Sequence, residues 1–112
     1  MTDHFNRLSP AQAERLAMLI DECGEVIQIA GKILRHGYDS YHPDRPHISN
    51  RELLQRELTD LAAVENQIHA QDRIFLPSSL GVDAAWSKKL RYAHHQDELE
   101  YDHRPGGEDD RD

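Results

Sequence analysis

Residues 9–37 read SPAQAERLAMLIDECGEVIQIAGKILRHG, and this stretch decides the fold. Ser9 is a helix-capping residue, Pro10 suits the first helical position, and Gln12 completes a capping box with Ser9. Leu16, Leu19, Cys23, Val26, Ile27, Ala30, Ile33 and Leu34 then recur at the 3.6-residue period and form one broad apolar face. Gly37 is a stop, and Lys32, Arg35 and His36 place cations in the last turn, where the exposed carbonyls favour them. The spacing predicts a helix from Pro10 to about Arg35.

Beyond Gly37, residues 38–48 (YDSYHPDRPHI) form a loop, because Pro43 and Pro46 exclude a helix interior. Ser49 and Glu52 make a second capping box and open a helix predicted over Asn50–Gln71. Its apolar stripe is Leu53, Leu54, Leu58, Leu61, Val64 and Ile68. Pro77-Ser78-Ser79 is a break, followed by a shorter predicted helix from Asp83 to about His95 that carries Ala84, Ala85, Trp86 and Leu90. Residues 1–8 read as a lead-in. From Asp97 the chain is acidic and contains Pro105-Gly106-Gly107, the composition of a disordered tail. The reading is an all-α chain, with a helical domain over 1–96 and a tail over 97–112.

Composition narrows the function. At 112 residues the chain is one domain at most, and so small a core makes self-association an expected source of further burial. A net charge of −8 disfavours DNA and RNA, whose phosphates need Lys and Arg. Such a chain can still hold a polyphosphate through divalent cations ligated by its carboxylates. Cys23 is the sole cysteine, so no intrachain disulfide forms; this fits a reducing compartment, and a cytoplasmic location is expected. The start MTDHFNRLSP has no apolar signal core, and no apolar run approaches the roughly 20 residues of a membrane span.

Two acidic pairs carry the chemistry: Glu22 with Glu25, and Glu57 with Asp60. Each pair is spaced i, i+3, so both members lie on one helix face. At about 100° per residue Glu57 falls within its apolar stripe and Asp60 at its edge. Met18, Glu22, Glu25, Ile29 and Lys32 form a stripe beside the main apolar face of the first helix. The four acids are therefore expected at the helix–helix seam. Burying unpaired carboxylates costs several kcal/mol, and a shared divalent cation, Mg²⁺ or Mn²⁺, removes that cost. The bland reading is that i, i+3 acids on an acidic helix are solvated, and Glu57, inside its stripe, is the residue that reading explains least. Glu14, Glu52 and Glu65 take it.

Leu19-Ile20-Asp21-Glu22-Cys23-Gly24-Glu25-Val26 followed by Arg56-Glu57-Leu58-Thr59-Asp60-Leu61 resembles the MazG-like, all-alpha nucleoside triphosphate pyrophosphohydrolases. Their signature is E-x-x-E, a spacer and E-x-x-D, and the resemblance covers roughly residues 9–70. It implies a helical bundle assembled by oligomerisation, as a homodimer or homotetramer, from two long antiparallel helices and a short third one. It implies that Glu22, Glu25, Glu57 and Asp60 ligate Mg²⁺ and that Glu22 or Glu25 orients a water for attack on the α-phosphorus. An NTP or dNTP would then yield its monophosphate and pyrophosphate. Lys32, two turns beyond Glu25, and Arg35 are candidates for phosphate contacts, and Asn66 for a contact with the nucleotide. One phage branch of the family acts on dGTP; the residues here leave the base open.

The spacer between Glu25 and Glu57 (residues 26–56) is longer than the family's, and the excess is loop 38–48. That loop is either a lid or base-recognition element, through Tyr38, Tyr41, His42 and His47, or a passive insertion. His42 and His47 as a metal site is a weaker rival. Trp86 suits a core position better than base stacking. Alternatives are a phosphoribosyl-ATP pyrophosphatase, a dUTPase-like or dCTPase-like enzyme of the same superfamily, or a non-enzymatic dimeric helical interaction module. A di-iron bundle is discounted because neither long helix has a Glu-x-x-His.

Overall fold

The computed structural model describes residues 5–96. Its elements are α1 (Pro10–His36), α2 (Asn50–Gln71) and α3 (Ser79–Leu90), with no strand among the described residues beyond an isolated bridge between Tyr41 and Ser49. Its contacts divide the chain into two units, Met1–Phe75 and Leu76–Asp112. The tail expected over 97–112 lies outside the described residues. None of the helices is long and apolar enough to cross a membrane.

In the first unit, α1 begins with the full capping box: the Gln12 amide donates to Ser9 Oγ and the Ser9 amide to the Gln12 side chain. It ends at Gly37, whose φ of 91° favours glycine and whose amide donates to the Ile33 carbonyl at 2.7 Å. At the start of α2 the box is only half made. Ser49 accepts from the Glu52 amide, but the Ser49 backbone is drawn into the bridge with Tyr41 and the Glu52 carboxylate turns to Arg56 at 3.7 Å.

Helices α1 and α2 pack as an antiparallel hairpin, pinned at both ends by polar contacts. At the open end the Arg15 guanidinium donates twice to the Asp72 carboxylate, at 2.9 and 2.7 Å. At the loop end the buried Asn50 side chain donates to the Gly37 carbonyl at 3.1 Å, and its amide donates to the Ser40 carbonyl at 2.8 Å. Arg51 lies over the Tyr38 ring at 4.5 Å and reaches Asp39 at 3.4 Å, which orders the first half of loop 38–48. The buried apolar residues among those described are Ile29, Ile48 and Ile68.

The broad apolar face expected on α1 divides in two. Gln12, Arg15, Leu19, Glu22, Val26, Ile29 and Ile33 are buried or half-buried, whereas Ala13, Leu16, Ile20, Cys23, Ile27, Ala30 and Leu34 are exposed. The second set is offset from the first by one residue, about 100° around the helix, and one partner helix cannot cover that arc. On α2, Leu58 of the expected stripe is exposed while its other members are at least half-buried.

The second unit contains α3, which starts four residues earlier than predicted. Ser78 is its cap, accepting from the Gly81 amide at 2.9 Å, so the expected break is itself the start signal. The helix closes at Leu90 in turn-like hydrogen bonds from Arg91, Tyr92 and Ala93. Trp86, expected in a core, is half exposed.

Candidate metal centre

Glu22 and Glu25 are presented by consecutive turns of α1 toward Glu57, which sits on the α2 face turned to α1. Each of the three offers a carboxylate oxygen, and these oxygens all lie within 4.8 Å of one another. Glu22 and Glu57 are half-buried, and Glu25 is exposed at the lip. Two oxygens, Glu22 Oε1 and Glu57 Oε1, are shielded from solvent and have no hydrogen-bond partner. No cation among the described residues compensates them: the ion pairs there are Arg15–Asp72, His42–Asp44, Arg51–Asp39 and Arg56–Glu52.

The electrostatics follow. Burial raises the Glu57 carboxyl above its ordinary range, and the charges of Glu25 and Asp60 raise it further. Burial likewise raises Glu22, with contributions from Glu25, Asp60, Glu57 and Asp21. Anionic oxygens gathered without a donor fit a hard divalent cation, which supplies the missing charge and accepts oxygen ligands from a partly open face. The donor set thus fits Mg²⁺ or Mn²⁺, with Glu22, Glu25 and Glu57 as its holders.

Asp60 stands apart from the other three. It is exposed and outside the group of converging oxygens, although its charge is felt at Glu22 and Glu57. Three residues along α2 rotate it about 60° from Glu57, toward the edge of the seam. Asn66 is exposed; nine residues past Glu57, it falls on the opposite side of α2. His42 and His47 belong to no group of three or more metal-ligating side chains among the described residues.

Lys32 and Arg35 line a cavity of about 230 Å³ between the end of α1, loop 38–48 and the start of α2. Tyr41, His42 and Arg45 of the loop line it as well, so loop 38–48 forms one wall of the cavity. Arg45 had no signal in the sequence, since its role depends on how the loop folds back. The Arg15–Asp72 clamp was equally hidden, its partners lying 57 residues apart. Compared with protein-family models, with curated proteins and with solved structures, the chain matches none.

Proposed function

We propose that this chain is a Mg²⁺-dependent nucleoside triphosphate pyrophosphohydrolase of the MazG-like type, converting an NTP or dNTP to its monophosphate and pyrophosphate. The observation that carries the reading is the convergence of Glu22, Glu25 and Glu57 with two shielded oxygens left without a donor. When bound, Mg²⁺ supplies charge neutralisation of the phosphates and lowers the pKa of a coordinated water. Glu22 and Glu57, held in the seam, would hold the ion. Glu25, exposed at the lip, is placed to orient the attacking water and accept its proton. Asp60, at the edge of the seam, contributes as a fourth acid through its charge, which is felt at Glu22 and Glu57. Lys32 and Arg35 stand two to three turns along α1, about 10 to 15 Å from Glu25, on the side from which phosphates would be contacted.

The same reading includes a homo-oligomer. Ala13, Leu16, Ile20, Cys23, Ile27, Ala30 and Leu34 follow a heptad spacing along roughly 32 Å of α1, and all are exposed, Ile27 at 72% and Leu34 at 89%. A second copy laid on this seam closes a four-helix bundle. Ile27→Glu is expected to convert the assembly to monomer in sedimentation analysis with helix content retained; an unchanged mass places the interface elsewhere. The alternative of a non-enzymatic helical module shares this seam and differs at the acids.

A panel of canonical NTPs and dNTPs with Mg²⁺ or Mn²⁺, scored for monophosphate and pyrophosphate, tests the activity. Cation-dependent release of pyrophosphate from at least one nucleotide is expected. Silence across the panel, with cation binding also absent in calorimetry, rejects the enzyme in favour of the module.

A further inference from the structure

The cavity beside the hairpin loop is electrostatically unlike the rest of the chain. The protein has 21 Asp and Glu against 13 Lys and Arg, yet Lys32, Arg35 and Arg45 line the cavity and no carboxylate does. None of the three cations has an ion pair or side-chain hydrogen bond among the described residues. The nearby acids are turned elsewhere: Asp39 to Arg51 at 3.4 Å, and Asp44 to His42 at 3.7 Å with its side chain almost fully in solvent. Lys32 is half-buried, and a partly desolvated ammonium without a counter-charge is costly to hold. Arg35 folds back along α1, one guanidinium nitrogen lying 3.6 Å from where a side chain at Gly31 would begin, an ordinary contact distance.

We infer that this cavity is an anion site that takes a phosphoryl group, with Arg45 of the inserted loop as its third cation. Two guanidinium forks and an ammonium around one space suit a multiply charged anion with several oxygens better than a single carboxylate. Backbone donors are not available at the start of α2. The Asn50, Arg51 and Glu52 amides are already taken by Ser40, Tyr38 and Ser49, so the anion is held by side chains. A volume of about 230 Å³ is below the ~300 Å³ at which drug-sized pockets begin, so the cavity admits a phosphate group and not a whole nucleotide. Tyr41 at the wall offers a ring and a hydroxyl to whatever carries the phosphate. The anion site stands whether or not the acidic cluster is a metal centre. Only the identification of the phosphate with a substrate's own polyphosphate end rests on the hydrolase reading.

The test is calorimetric titration of the full chain with inorganic pyrophosphate, in EDTA and at roughly 150 mM salt so that diffuse attraction is screened. The expected result is saturable binding that Arg45→Gln and Arg35→Gln each weaken by about ten-fold or more. Arg56→Gln, which removes the same charge outside the cavity, is expected to leave it within about two-fold. Absence of saturable binding, or an equal loss in Arg56→Gln, overturns the inference. With Mg²⁺ and a turned-over nucleotide, competitive inhibition by inorganic phosphate that Arg45→Gln relieves assigns the site to the substrate's own phosphates. Non-competitive inhibition relieved by the same variant assigns it to a separate phosphate. Inhibition that Arg45→Gln leaves unchanged counts against the site. The EDTA titration reads out even if no nucleotide is hydrolysed.

Discussion

Two carboxylate settings on one helix seam behave in opposite ways. At the open end of the hairpin, Asp72 receives two hydrogen bonds from Arg15, which hold its carboxyl below the usual carboxylate range despite partial burial. In the middle of the same seam, Glu22 and Glu57 are comparably shielded, have no donor at their inner oxygens, and are raised. The difference is the presence of a partner, since burial disfavours the charged form in both places. A fold that completes one ion pair and leaves an acidic group uncompensated beside it has a structural joint and a candidate binding centre on a single pair of helices.

Removing the central acid should give the largest effect. On the proposed reading, Glu57→Gln is expected to lower pyrophosphate release by ~10²-fold or more, because the proposed holder of the ion is lost. It should also abolish Mn²⁺ binding in calorimetry and raise the melting temperature in EDTA, since one of the uncompensated charges is gone. Full turnover in this variant would break the contrast between the two settings.

The structural joint should respond in the reverse sense. Asp72→Asn leaves Arg15 without its counter-charge and is expected to lower the melting temperature by several degrees. Turnover at saturating cation should stay within about two-fold, because the change lies at the far end of α2 from Glu57. A melting temperature that does not move would mean that the clamp contributes nothing to the hairpin.

The smallest effect, and the one that sharpens the comparison most, is in pH. Glu22 and Glu57 have folded values raised above 4.5, so between 4.5 and those values the native chain binds more protons than the unfolded one. Their contribution to stability without metal therefore declines as pH rises through that window. Cation binding requires the same carboxylates deprotonated, so the rise in melting temperature produced by Mn²⁺ should grow across it. Asp72, lowered from 3.8, contributes fully above that value and loses its contribution as pH falls through the folded one. Melts from about pH 2.5 to about pH 8, with Mn²⁺ and with EDTA, separate the two, because the Asp72 loss falls below 3.8 and the Glu22 and Glu57 change above 4.5; a Mn²⁺ effect independent of pH would remove the acids from the binding step.

Features that depend on neighbours along the chain are legible in the amino-acid order alone. Ser9 with Gln12, and Gly37, bounded α1, and Ser49 set the start of α2, because caps act within one turn. Glu57 was legible as a seam residue because the 3.6-residue period fixes which face a position takes once a helix forms. The same arithmetic puts Glu22 and Glu25 on a stripe beside the main apolar face of α1. What the period cannot tell is how wide an arc a partner covers, so the apolar face of α1 read as one stripe and proved to be a packed strip beside an exposed one. The start of α3 is hidden in the sequence because Ser78 follows Pro77 in a stretch with the composition of a break, although it caps the helix.

Which side chains from distant segments meet is settled by the packed fold alone. Arg15 finds Asp72, Arg45 folds back beside Lys32 and Arg35, and Asp60 falls outside the group that Glu22, Glu25 and Glu57 form. Those outcomes depend on the register of two helices and on the path of an eleven-residue loop between them, over residues 38–48. Local periodicity carries no information about either, because register and path are set by packing between segments far apart in the chain.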